Sequence, residues 1–192
     1  MDTALGLTFL GVELAFIVLV LLAIVRTGFF RLESSVGIAR DGLPPGKSAP
    51  SWSLPDLEGH LRVTPSADHW QLLIFTDHSL ASFPHLVAGM NHLVASVQDL
   101  EILVLSRDDR ELCEATIRAF DLQVPIVQVD QTLYDNFRVR VMPFAFLLDF
   151  RGIVRWVSLV NTEEHLSHML RTMRSLTAES NLSEEVRRWA NS

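Results

Sequence analysis

The stretch VMPFAFLLDFRGIV at 141–154 decides how this chain folds. Pro143 follows Met142 and leads into FAFLLD at 144–149, a short continuous apolar run of the kind that reads as a strand buried on both faces. A turn at Arg151 and Gly152 then gives way to IVRWVSLV at 153–160, so the two runs are predicted to pair as an antiparallel hairpin. A helix from Glu163 to Leu176 should follow, and residues 179–192 read as an amphipathic or frayed tail.

Upstream of this hairpin the pattern alternates. LLIFT at 72–76 is a buried strand, and Phe83 to Val97 carries Leu86, Val87, Met90, Leu93, Val94 and Val97 at helical spacing. EILVLS at 101–106 is the next strand. It leads to a helix over 109–120, where Asp108 and Glu111 have the three-residue spacing of an N-terminal cap. VPIVQV at 124–129 and a short helix from Thr132 to Phe137 complete the alternation. Ahead of it, Trp52–Leu54 and Leu61–Val63 read as a small hairpin joined across Asp56, Glu58 and Gly59. Alternation ending in a hairpin and helix predicts an α/β fold, a mixed central sheet flanked by helices, over residues 49–178. The Gly- and Pro-rich run GIARDGLPPGKSAP places a linker at 31–48.

Residues 1–30 read as a transmembrane anchor. From Ala4 to Val25 the side chains are apolar or small except for Thr8 and Glu13. A helix of that length reaches roughly 30 Å, the thickness of a hydrocarbon core. A cleaved signal peptide would want a basic start and a small-x-small site, whereas this segment begins with Asp2 and ends in Ile24, Val25 and Arg26. Glu13 lies near the middle, where an acidic side chain costs roughly 2.5–3.5 kcal/mol unless protonated, hydrated or paired. Either it faces another membrane protein, or the span runs from Leu14 to Phe30 with Glu13 at the interface. Arg26 and Arg31 follow the span and no basic residue precedes it, which by charge alone puts the following domain in the cytoplasm.

With 192 residues there is room for this anchor and one compact domain. The formal charge of −7 falls wholly after Lys47, and that part of the chain has no basic run, so capture of nucleic acid through its phosphates is excluded. One cysteine, Cys113, rules out an internal disulfide and any cysteine-rich metal centre.

The order of elements and four local motifs resemble the membrane-anchored redoxins of the thioredoxin superfamily, the TlpA-like proteins and the methylamine-utilisation protein MauD. PGKSAPSWSLPDLEGHLRV at 45–63 is similar to the family's domain opening, and QLLIFTDHSLASFPHL at 71–86 to its strand, active-site loop and first helix. VMPFAFLLDFRGIV resembles the cis-proline segment, with Pro143 in the cis-proline position. VRTGFFRLESSVGIARDGLPPGKSAP at 25–50 resembles a MauD-like juxtamembrane linker. The resemblance implies a thioredoxin-like fold, a domain outside the cytoplasm, and a surface beside the loop that pairs with extended peptides.

The chain departs from the family where its chemistry sits. Active members carry Cys-x-x-Cys at the start of the first helix, whose N-terminus stabilises a thiolate while the second thiol resolves the mixed disulfide. Here Ser79 and Ser82 occupy those positions, and a register one residue longer would place Leu80 and Phe83 there. A hydroxyl has no reversible two-electron couple, so dithiol–disulfide exchange is excluded.

The remaining candidates have plainer readings. Cys113, mid-helix between Leu112 and Glu114, reads as a small packing residue, with a mixed disulfide to a partner as the alternative. His78, His85 and His92 recur every seven residues, and His165 and His168 stand three apart. These read as solvent-facing positions, with metal delivery as the alternative. Asp77 and His78 beside Ser79 or Ser82 suggest an activated hydroxyl, but Ser82 before Phe83 and Pro84 fits a helix cap better. The expectation is therefore a protein without catalysis, cofactor or resident metal. It would serve as an accessory or assembly subunit and contact a membrane or extracytoplasmic protein partner through Glu13, Asp77, His78, Phe83, Met142 and Phe144.

Overall fold

The computed structural model describes residues 41–78 and 83–190, with side chains through 178. Eleven elements follow in order: β1 (Trp52–Pro55), β2 (Leu61–Thr64), β3 (Trp70–Phe75), α1 (Phe83–Ser96), β4 (Leu100–Ser106), α2 (Arg110–Phe120), β5 (Ile126–Gln128), α3 (Gln131–Phe137), β6 (Phe144–Leu148), β7 (Val154–Leu159) and α4 (Glu163–Ala190). β1 and β2 form a separate two-stranded sheet, and the other five pair in the order β5-β4-β3-β6-β7. β3 runs parallel to β4 and antiparallel to β6, β4 runs parallel to β5, and β7 is antiparallel to β6. The expected mixed sheet is present. Among the described residues no helix is long and apolar enough to cross a membrane. The expected anchor at 1–30, with Glu13, lies outside them, as do Ser79 and Ser82.

The pleat explains why the central strands are apolar between their ends. Alternate side chains leave opposite faces, so a strand covered on both sides admits a polar residue only where it is hydrogen-bonded, as Gln71 is to Val63 O and Glu101 near the start of β3. Leu72 and Ile74 of β3, Ile102 and Val104 of β4 and Ala145 and Leu147 of β6 point to a core with Leu86 and Met90 of α1, Cys113 of α2 and Leu166 and Met169 of α4. The helices come close: a Cβ added to Gly89 of α1 would stand 2.9 Å from Leu166 Cδ1. The opposite face is aromatic. Phe75 lies 4.9 Å from Tyr134, 5.1 Å from Phe137 and 5.6 Å from Phe146, ring centre to ring centre, and Phe146 in turn touches Phe144 at 5.1 Å.

Three expectations need correction. The described part of the linker, from Gly42 on, is packed onto the β6–β7 hairpin. Gly46 N–H donates to Val154 O (2.7 Å), Val154 N–H to Lys47 O (2.8 Å) and Ala49 N–H to Gly152 O (2.8 Å). Leu43 and Ala49 are buried. Gly and Pro forbid a periodic pattern but not packing, and Gly42 is needed where it stands: φ is +77°, and a Cβ would meet Phe144 Cε1 at 2.6 Å. Second, Asp109 caps α2, accepting from Leu112 N–H at 2.9 Å. Asp108, the expected cap, is turned toward His78 instead. Third, α4 runs to Ala190, well past Leu176 and into the stretch expected as tail.

One device closes both hairpins. Asp56 Oδ1 accepts from Glu58 and His60 N–H (3.0 and 2.9 Å), and its Oδ2 accepts from Arg62 Nε (2.9 Å) and pairs with the second guanidinium nitrogen at 2.8 Å. Asp149 Oδ1 accepts from Arg151 and Ile153 N–H (2.9 Å each), and its Oδ2 from Arg155 at 2.8 and 2.7 Å. Gly59 and Gly152, at φ +88° and +73°, sit three residues after each Asp and donate back to its carbonyl. Burial works against the charge on Asp56, yet the bonds from Arg62, His60 and Glu58 outweigh it and hold its carboxyl below the ordinary 3.8. Its contribution to stability is therefore complete above the unfolded value and is lost as pH falls through the lowered folded value. Asp56→Asn should flatten the acid limb of a melting-temperature profile below about pH 4. An acid limb as steep in the variant as in the parent would show that other carboxyls dominate it.

Candidate functional site

The crevice of an open α/β sheet lies beyond the carboxyl ends of its parallel strands. Here that edge carries Thr76, Asp77 and His78 after β3, and Arg107 and Asp108 after Ser106, the last residue of β4. The register Phe75↔Phe144 brings Pro143 and Met142, just before β6, to the same edge as Thr76. The segments expected to make the site, 77–78 and 142–143, thus leave neighbouring strands at one end of the sheet.

His78 is the centre of the polar cluster. Its Nδ1 stands 2.9 Å from Asp108 Oδ2 and 3.4 Å from Asp77 Oδ1, and its backbone N–H donates to Asp108 Oδ2 at 3.2 Å. Asp108 is fixed from behind. Ser106 Oγ donates to its carboxylate (2.9 Å) and accepts from its N–H (3.1 Å), and Gln128 Nε2 donates to its carbonyl at 3.0 Å. The strand ends are tied by Tyr134, whose hydroxyl reaches Leu105 O (3.1 Å) and Thr76 O (3.3 Å) while its ring lies under the Arg107 guanidinium at 4.5 Å. Behind His78 is a cavity of about 10 Å³, room for roughly one water molecule, lined by Thr76, Phe83, Ser106, Asp108, Cys113 and Thr116 among others.

The Met142–Pro143 peptide is cis. Pro143 is buried, Met142 half-buried, and Val141 exposed. Phe83 and Phe144, expected as partner contacts, are instead core residues at 1% and 0% exposure. Phe83 packs edge-on against Phe120 at 5.6 Å, and Phe144 belongs to the aromatic face. An aromatic near a strand end is as useful for packing as for display, and these two are packed.

Cys113 is 2% exposed, and its Sγ contacts Asp108 O at 3.7 Å. Burial, reinforced by the negative charges of Asp108, Asp109 and Glu114, pushes its thiol up to about 11. A nucleophilic cysteine requires the reverse, an accessible thiolate near positive charge. His92 pairs with Glu163 at 3.2 Å, and His165 Nδ1 accepts from Asn161 N–H at 3.2 Å. The histidines singled out by spacing do not converge. Among the described residues the one group of donors placed to share a metal ion is Asp77, His78 and Asp108. Sequence reasoning gave Asp108 to a helix cap and passed over Ser106 and Gln128. The available signal was polar residues closing apolar strands, at the edge where α/β sheets bind.

No family profile and no curated protein matches the sequence. Solved structures do match the fold. A Chlorobium tepidum protein assigned as the thiol:disulfide interchange protein DsbE superposes with a TM-score of 0.64 at 15% identity, covering 69% of this chain and 97% of its own. Peroxidoxin BcpB from Mycobacterium tuberculosis gives 0.60 at 17% identity over 69% and 97%, and StoA from Bacillus subtilis 0.53 at 18% over 65% and 98%. At such identities the likeness is one of fold, and by fold this chain is thioredoxin-like, with its single cysteine in α2 and none in the segment that precedes α1.

Proposed function

We propose that this chain is a membrane-anchored thioredoxin-like protein that binds rather than catalyses, serving as an accessory or assembly subunit of a membrane or redox complex. The observation carrying this reading is the position of its one thiol: the only cysteine is buried in α2 with its thiol pushed up to about 11, and the segment preceding α1 has none. The edge formed by Asp77, His78 and Met142 is the contact surface, with Val141 exposed beside it. A domain outside the cytoplasm accords with the redoxin resemblance better than with the charges flanking the anchor, and a reporter fused after Ser192 reads the side.

The alternative is a thiol protein working through Cys113 with a partner cysteine. Isolation of the intact chain from its native membrane separates the two. Cys113→Ser is expected to leave the co-purifying proteins unchanged, while Met142→Glu, a charge on the half-buried edge, should deplete them severalfold. Loss of those proteins in Cys113→Ser, with thermal stability intact, would overturn the proposal.

A further inference from the structure

We propose that Asp77, His78 and Asp108 bind a divalent transition-metal ion, zinc or a close analogue, at the carboxyl ends of β3 and β4. The site does not depend on the partner-binding reading above. Its donor spacing is close to that of a coordination shell. Donor atoms about 2.0–2.1 Å from a tetrahedral zinc stand roughly 3.3–3.4 Å from one another. His78 Nδ1 is 2.9 Å from Asp108 Oδ2 and 3.4 Å from Asp77 Oδ1, and all three donors lie within 4.8 Å of one another. An ion seated between Nδ1 and Oδ2 would need those atoms to part from 2.9 Å to about 3.3 Å.

Donor type argues the same way. Two carboxyl groups converge with one imidazole, a set of oxygen and nitrogen donors that suits a dication. One nitrogen and two oxygens, without sulfur, suit zinc, manganese or iron(II) and disfavour copper(I), which prefers thiolate and thioether. Three protein donors leave at least one position for water or a substrate, as in zinc sites with an open position. The carboxylate is also held by hydrogen bonds, as ligating carboxylates are: Ser106 Oγ donates to the same Oδ2 that faces His78, and Gln128 holds its backbone. The side chains of Asp77 and His78 are each about one-third exposed, 33% and 30%, and that of Asp108 14%, so an ion can enter from solvent.

The intact chain in detergent, stripped with a chelator and titrated with cobalt(II), tests this directly. One equivalent is expected, with the intense visible absorption of a low-coordinate cobalt site and a rise in melting temperature. His78→Gln should abolish the absorption and Ser106→Ala weaken binding by about 10–100-fold. Cys113→Ser and His92→Gln should bind as the parent does. Because His78 is outside the core, its variant is expected to fold, and its unliganded melting temperature verifies that. Absence of a saturable single equivalent, or undiminished affinity in a folded His78→Gln protein, would overturn the proposal.

Discussion

Phe75→Ala is expected to destabilise the domain by about 4 kcal/mol, within the roughly 3–5 kcal/mol range for removing a buried phenylalanine. The ring is fully buried and meets Tyr134, Phe137 and Phe146 at once. Edge-on aromatic pairs add about 0.5–1.5 kcal/mol beyond the area they bury. The surroundings cannot collapse to fill the space, because Phe75 lies on a strand hydrogen-bonded on both sides and its neighbours are held by β6 and α3. Phe75→Leu keeps most of the volume and should lose well under half as much. Urea unfolding followed by far-UV circular dichroism measures both. Equal losses in the two variants would show that ring contacts contribute little beyond volume.

The second large effect is expected from Asp149→Ala, at about 3 kcal/mol. Removing one partner of a buried ion pair costs roughly 3–5 kcal/mol, because the other charge and any donors are left behind. The value falls at the lower end here. Asp149 is 4% exposed, but Arg155, at 40%, can turn toward water when its partner is gone, which discounts the ionic part. The N–H groups of Arg151 and Ile153 cannot move away, and each loses a bond to a charged acceptor. Arg155→Ala should therefore cost much less than Asp149→Ala, and Asp149→Asn an intermediate amount. If thermal melts instead rank Arg155→Ala equal to Asp149→Ala, the ion pair and not the backbone bonds holds the turn.

The fold was legible because its strongest signals are long and periodic. Continuous apolar runs located β3, β4 and β6, and helical spacing located α1, where Leu86, Met90 and Leu93 are indeed buried. What escaped was contact between segments distant in sequence. Nothing in GLPPGKSA says that its backbone will bond to Val154, since the partner is more than a hundred residues away. The same holds for the candidate site. Asp77 and His78 were noticed as neighbours on one loop, but Asp108 is thirty residues on and joins them only because β3 and β4 lie side by side in parallel. Local spacing also misled: Asp108 and Glu111 fit a cap as well as Asp109 does, and only the pull of His78 and Ser106 on Asp108 decides between them. For Phe83 and Phe144, composition could not tell a displayed aromatic from a packed one.

The paired clasps at Asp56 and Asp149 have a consequence for how the molecule tolerates change. Hairpin tips are ordinarily where a chain accepts extra residues most freely. In these two, the carboxylate must reach N–H groups two and four residues ahead and a guanidinium six residues ahead. An added residue inside either span shifts all of those partners together. The two tips are thus fixed in length, and an epitope or reporter is better placed elsewhere, after Ser192.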